Sequence, residues 1–512
     1  MSLVLPENFK AHYRNLSKTN PDDFKNIEIE EFFKYCGLPL RKAFRFNQLK
    51  YRGNTGKNIF IHETEKQKWE IEPIIWCNNG YFVDRKEEVK TIAIGATVPH
   101  VLGGIYLQEA SSMLPVTALF HGHENIDFSD LSVGDLAASP GSKSTQIAEK
   151  MHGKGILLTN ELSSTRLKAL YSNLERCGVS NSLLTHYDAE NLCNLLPNTF
   201  DFLLLDAPCT GEGTVRKNFK ALENWSPDDA VTMANLQKKL IIAAFTALKN
   251  GGELVYSTCT LGDPENRDVV NYLREKFPNQ VEIISLENLF EGAEKAITHE
   301  GYLQIWPQIF DSEGFFVAKI RKNLNTKTIE AQNKIFAEKD KHQEEKNLKK
   351  FPFTKVTKKQ NVEILEILYS QWNFALPENF ELWNRDKEWW AFPKRIEHFV
   401  SNIKVDRIGV KIGEMHGKGW KTVYEFCSAF GNICTKNMLE ITEEQVKKVY
   451  AGNNLDFENN SDNTKLIFNK KEAKEIMLTY KKFPVAIGKM TIAGNNLKWK
   501  NQLPRVLLRN LK

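Results

Sequence analysis

Between about residues 105 and 325, short apolar runs alternate with longer segments of helical spacing. "FDFLLLDAP" and "GILLTNEL" are of the first kind; "STQIAEKMHG" and "SSTRLKALYSNLERCG" are of the second. A strand covered on both faces must be apolar almost throughout. Strand–helix alternation builds a mostly parallel, doubly wound sheet. Five strands are expected, at "IDFSDLSVGD", "GILLTNEL", "SLLTHYDAE", "FDFLLLDAP" and "ELVYSTCT". "LQKKLIIAAFTALKNGG" predicts a helix stopped by its glycines.

The flanks read differently. Residues 1–40 have a polar-amphipathic helical pattern, and 41–100 hold short strand-like pieces such as "KWEIEPIIWC" and "GYFVD". "LPLRKAFRFN" sets Arg41, Lys42 and Arg45 among apolar residues. That suits either cationic protection of an edge strand or contact with phosphate. Residues 321–350 are highly charged with few apolar anchors, as in a solvated helix or linker. "FELWNRDKEWWAFP" (380–393) is aromatic-dense and must find a packing partner. "RIGVKIGEMHGKGW" and "FPVAIGKM" alternate like strands of a small β-rich domain. The expected division is 1–104, 105–325, a linker at 326–350, an aromatic-rich region at 351–405, and a β-rich tail at 406–512.

Charge changes the picture of the tail. The 512 residues carry a net charge of +5, yet 401–512 alone hold 20 Lys and Arg against 11 Asp and Glu. A basic tail suits a polyanionic partner as well as a solvated lysine-rich face. No apolar run approaches the roughly 18 residues of a membrane-spanning helix, and "MSLVLPENFK" has no signal-peptide pattern. The eight cysteines are scattered and none forms a CxxC pair. That argues against a zinc site or a disulfide scaffold and for a reducing, cytoplasmic setting with no metal.

The chemistry concentrates at strand ends. "DLAASPGSKSTQIA" follows the first strand. Ala137, Ala138, Ser139, Pro140, Gly141 and Ser142 are small enough for close backbone approach, and Lys143 adds a cation. Neither GxxxxGK[ST] nor GxGxxG is present, so the loop fits a cofactor without a pyrophosphate. Glu161, at the end of the second strand, is placed to accept both hydroxyls of a ribose. Asp188, after the third, is placed to accept from an adenine amine. In order, these features match S-adenosylmethionine, in the crevice where such sheets bind ligands. Singly, each acid is more often a turn or helix-cap residue than a ligand-binding one.

Asp206 and Cys209 follow the fourth strand and Cys259 ends the fifth. Adjacent parallel strands would bring both cysteines into one crevice, although each alone could be a small buried hydrophobe. A thiolate added to carbon 6 of a cytosine makes carbon 5 nucleophilic, which is covalent catalysis. An acid such as Asp206 at ring nitrogen 3 eases that addition. The attacking sulfur needs a lowered pKa from an electropositive site, and Lys143 is a candidate source. Arg216 and Lys217, directly after this loop, suit RNA contacts as well as a solvated loop, and a target base must leave its stack to reach the pocket.

"DLAASPGSK", "NE", "HYD", "DAPCTGEG" and "YSTCT" resemble, in order, the motifs of the RNA cytosine-C5 methyltransferases of the Sun (Nol/Nop/Sun) family. Ser139 and Ser142 stand where that family often has Ala and Gly. The resemblance implies an S-adenosylmethionine-dependent Rossmann-like core, with Cys259 as nucleophile and Cys209 assisting release of the RNA. It implies Asp206 at the target base, and Ala137 through Lys143, Glu161, Asp188 and Asp206 around the cofactor. With "IYLQEASSMLPV" and the long tail, it extends to members that act on small-subunit ribosomal RNA and carry a PUA-like RNA-binding domain. The alternatives are a tRNA or other rRNA cytosine, an adenine-N6 methyltransferase, or a non-catalytic ribosome-assembly protein. "DAPC" lacks the aromatic that adenine-N6 chemistry uses, and no motif residue has been lost.

Overall fold

The computed structural model describes residues 5–323 and 348–511 except 20, 22, 23, 26, 87–91, 224, 349, 418, 459–473, 494 and 495. The charged linker expected at 326–350 therefore lies almost wholly outside the described residues. Two helices, Glu7–Thr19 and Ile29–Cys36, open the chain. Their apolar faces, with Phe9, Tyr13, Phe32 and Phe33, pack around Trp306 and Trp225. The strand-like pieces that follow form a four-stranded antiparallel sheet.

In that sheet Ala43–Phe46 is an inner strand, paired with Cys77–Arg85 on one side and Ile105–Leu107 on the other. The edge-strand reading of "RKAFRFN" does not hold, and Arg45 is not available to phosphate. It is 1% exposed and ion-paired with buried Glu149. It also donates to Thr145 Oγ1 at 2.7 Å and to the Ser142 carbonyl at 3.3 Å. Arg41 lies 4.0 Å over the Phe82 ring and pairs with Glu72 at 2.6 Å.

The centre is a nine-stranded mixed sheet. Ser132–Asp135 lies between Ile156–Asn160 and Phe200–Asp206, all parallel. Ser182–Thr185 continues one side and Leu248–Thr258 the other, also parallel. Phe315–Lys322 then runs antiparallel to Leu248–Thr258. All five expected strands are present in this parallel part. Leu203, Leu204 and Leu205 have no exposure, as burial on both faces requires. Helix Ser164–Arg176 is capped by Ser163 Oγ. Helix Pro227–Ala247 starts with a Ser226 cap and a first-turn proline. It stops at Ala247, not at the glycines, because Leu248 already turns to extended backbone at ψ 141°.

The tail forms two five-stranded sheets. The first includes Phe380–Arg385, Glu388–Pro393, Val410–His416 and Gly419–Thr422, so it crosses residue 405, where a boundary was expected. The second runs from Met438–Glu440 to Asn496–Asn501. Within the first sheet's stretch of chain, between Glu388–Pro393 and Val410–His416, Arg407–Ile408 pairs with Leu183 and Leu184 and closes the edge of the central sheet.

Candidate active site

The first strand ends in a tight loop. Gly141 has φ 105°, open to glycine but strained for other residues, and the helix Ser142–Lys150 begins there. The loop is held by its backbone. Ala138 N donates to the Asn160 carbonyl at 2.8 Å, and Gly141 N to the Ala138 carbonyl at 2.7 Å. Ser139 Oγ donates to the Arg166 carbonyl at 2.9 Å, and Arg166 returns a 2.8 Å bond to the Ser139 carbonyl. Asn173 donates to the Pro140 carbonyl at 2.9 Å.

Asn160 knits three strand ends together, and sequence reasoning missed it. Its amide donates to the Leu136 and Tyr187 carbonyls at 3.2 and 2.9 Å, and its Oδ1 accepts from Tyr187 N at 3.0 Å. Glu161, beside it, is buried, and its Oε1 accepts from Ser163 N at 2.8 Å. Asp188 caps the helix Ala189–Leu195 through a 3.1 Å bond from Asn191 N. Both acids thus serve as turn or cap residues after the carboxyl ends of their strands. Asp135, also missed, accepts from Ser144 Oγ at 2.6 Å, and burial pushes its carboxyl up to about 6. Its Oδ1 is buried and has no partner among the described residues.

Asp206 pairs in register with Ser257, so the two loops that follow start side by side. Asp206 Oδ1 accepts from Ser257 Oγ at 2.8 Å. Asp206 Oδ2 lies 2.7 Å from Lys143 Nζ, which also donates to Ser112 Oγ at 3.0 Å. Burial opposes the charge on Lys143, but Asp206, its hydrogen bond and Asp135 outweigh it and hold the ammonium pKa above its usual value. Cys209 and Cys259 meet with their sulfurs 3.2 Å apart. Gly213 N donates to the Cys259 carbonyl at 3.0 Å, and a Cβ on Gly213 would come within 2.7 Å of that oxygen and 2.4 Å of the Gly314 oxygen.

The hydrogen bond with Cys259, then burial, then Glu265 and Glu212 raise the Cys209 thiol well above its usual pKa. Cys209 therefore keeps its proton at neutral pH. Lys143 interacts electrostatically with Cys259. Burial, then Glu109, push Glu313 up to about 8.

Arg216 is not an RNA contact. Its side chain is 1% exposed, pairs with Asp311 at 2.7 Å and donates to the Pro39 and Ser312 carbonyls at 2.9 and 3.1 Å. Lys217 remains exposed. Among the described residues no group of His, Cys, Asp and Glu could hold a metal ion, and no helix is long and apolar enough to cross a membrane.

Three family models match successive parts of the chain. The model of 16S rRNA methyltransferase RsmB/F covers residues 128–321, and the N-terminal domain of 16S rRNA methyltransferase RsmF covers 5–110. The pre-PUA domain of ribosomal RNA small subunit methyltransferase F covers 353–430. The ribosomal RNA small subunit methyltransferase F of Aliivibrio fischeri (strain MJ11) is 42% identical over 511 residues, covering 99% of this chain and 98% of that one. Its counterpart in Aliivibrio salmonicida (strain LFI1238) is 40% identical over 509 residues, covering 99% and 98%. Among solved structures, NSun6 from Pyrococcus horikoshii with SFG superposes with a TM-score of 0.52 at 23% identity. It covers 64% of this chain and 100% of that one, a likeness of fold.

Proposed function

The chain belongs to the ribosomal RNA small subunit methyltransferase F family, and from that premise we propose that it methylates carbon 5 of a cytosine in 16S ribosomal RNA, in the cytoplasm, through a covalent bond to Cys259. The observation that carries this reading is the 3.2 Å approach of the Cys209 and Cys259 sulfurs. Beside them stands an Asp206–Lys143 pair at 2.7 Å.

The residues present fit S-adenosylmethionine. Asp135 keeps a buried acceptor oxygen without a protein donor among the described residues, and Gly141 opens a loop of small residues. Ala137 through Lys143, Glu161, Asp188 and Asp206 would hold the cofactor, which when bound supplies an electrophilic methyl group.

The chain's own residues then act on the base. The Cys259 thiolate forms a bond to carbon 6. The proton given up by the Cys259 thiol passes to Asp206, which shares it with ring nitrogen 3; this offsets the electron density pushed into the ring, and carbon 5 becomes nucleophilic. Lys143 holds Asp206 in place. After carbon 5 is substituted, its proton leaves to solvent water, the electron pair re-forms the 5,6 double bond, the carbon–sulfur bond breaks, and ring nitrogen 3 gives its proton back through Asp206. Cys209 holds its proton 3.2 Å from the departing sulfur. A hydrogen bond from that thiol stabilises the leaving thiolate, which gives Cys209 its part in release.

Cys259→Ala is expected to abolish methylation while S-adenosylmethionine binding, followed by calorimetry, stays near wild type. Cys209→Ala is expected to accumulate a covalent RNA–protein species, visible as a slow band on a denaturing gel. Full activity of the first variant, scored by bisulfite sequencing of 16S RNA, would refute the nucleophile assignment. Absence of the trapped species would refute the release role.

A further inference from the structure

Behind the two thiols lies a buried acid, inside "DAPCTGEG", with no role in the chemistry proposed above. Glu212 is 2% exposed. Its Oε2 accepts from Thr210 Oγ1 at 2.6 Å, one residue beyond Cys209. Its Oε1 accepts from Leu261 N at 3.0 Å and from Thr260 Oγ1, directly after Cys259. The same Oε1 accepts from Tyr13 Oη at 2.9 Å, brought in by the N-terminal helix Glu7–Thr19. Four donors from three separate segments converge on one carboxylate, which has room for about four.

A second acid seals the arrangement. Glu265 accepts from Thr210 N at 3.1 Å and from Gln237 Nε2 at 2.7 Å, and Gln237 also donates to the Pro208 carbonyl at 2.8 Å. Thr210 Oγ1 touches both Glu212 and Glu265 but owns a single proton. Both contacts are hydrogen bonds only if one of the two acids carries a proton and donates back. Burial raises the Glu265 carboxyl to about 7, consistent with that requirement.

We propose that Glu212 is the positioning residue of this centre: by accepting from Thr210 on one loop and from Thr260 and Leu261 on the other, it fixes the separation of the Cys209 and Cys259 sulfurs, and Tyr13 of the N-terminal helix completes the clamp. The proposal rests on the reading of these cysteines as the reacting thiols, yet its geometric half can be measured without RNA. It also gives the N-terminal helices a part in the chemistry, because Tyr13 reaches the centre across 199 residues of sequence.

Diamide tests it. Two thiols in contact become a disulfide while the reagent takes up their two hydrogens, and the rate reports how often the sulfurs meet. The other six cysteines are buried, so the fast phase, located by peptide mass mapping, belongs to this pair. Glu212→Ala is expected to slow both cross-linking and kcat about ten- to a hundredfold, the scale of an ångström-sized misplacement. The RNA KM and the S-adenosylmethionine Kd should stay near wild type. Glu212→Gln, with the same length and one carbonyl acceptor, should restore most of both rates. Unchanged cross-linking in Glu212→Ala overturns the clamp. Should that variant not fold, Thr260→Val decides: it removes the side-chain donor from the Cys259 loop and leaves only the Leu261 N–H of that loop on Glu212, and a wild-type cross-linking rate overturns the clamp. Slow cross-linking in the variant, with no methylation even by wild type, keeps the clamp and rejects the proposed function instead.

Discussion

Glu265 shows how one buried proton couples this site to pH. Its carboxyl is raised to about 7 from an ordinary 4.5, chiefly by burial, with Glu212 adding to the rise. The folded state therefore binds this proton more tightly than the unfolded chain does. The stability it contributes is complete below about pH 4.5 and is lost as pH rises towards about 7, a loss of roughly 1–3 kcal/mol. Glu265→Gln cannot titrate, so its melting temperature should fall less than that of wild type between about pH 5 and pH 8. Scanning calorimetry across that range checks it, and equal slopes would show that Glu265 is already ionised. At this scale the sequence was partly legible. The strand-end motifs named Asp206, Cys209 and Cys259, because parallel strands of one sheet must end on one side. Partners far along the chain were not legible. Arg216 was read as facing RNA, yet it is absorbed by Asp311 and by carbonyls near Pro39. Local pattern carries no record of such a pairing. Glu212 stood inside the quoted "DAPCTGEG" and was passed over, because an acid between two glycines reads as turn chemistry.

Elements tell a similar story with one instructive exception. The parallel strands were legible because double burial leaves an unbroken apolar run. The strand Ala43–Phe46 was misread because a cation in a short strand suggests an exposed edge. Its Arg45 instead crosses to the helix Ser142–Lys150, which starts at the proposed cofactor loop, and meets Glu149 there. Both side chains are almost fully buried, at 1% and 2% exposure. Removing one member strands the other charge, which costs about 3–5 kcal/mol. Arg45→Ala should therefore lower the unfolding free energy by that order, and S-adenosylmethionine binding should weaken as the helix loosens. The double variant Arg45→Met with Glu149→Met leaves no uncompensated charge and should regain most of the stability. Urea denaturation of the three proteins measures it. A double variant no more stable than the single would mean that the pair does more than neutralise itself.

For the whole molecule, the aromatic-dense segment at 380–393 had to pack, but nothing in its pattern said against what. Trp383, Trp390 and Phe392 share a hydrophobic core with Leu183, Leu203 and Leu254 of the central sheet. Arg407 sits over the rings of Tyr171, at 4.4 Å, and Trp390, at 4.9 Å. The adjoining Arg407–Ile408 strand covers the otherwise open edge at Leu183 and Leu184. The tail is thus part of the catalytic core's own packing, and the basic charge noticed in the sequence is only one side of its role. A chain ending at Asn323 would expose that apolar surface together with an unpaired strand edge, the template on which sheets associate. It should elute from size-exclusion chromatography as dimers or larger species and melt well below the full chain. Restoring residues through 430, the end of the pre-PUA match, should return a monomer, because the covering strand and the three aromatics come back with it. If the chain ending at Asn323 runs as a monomer with an unchanged melting temperature, the tail contributes nothing to the central sheet. Its aromatic residues would then have to be explained by RNA alone.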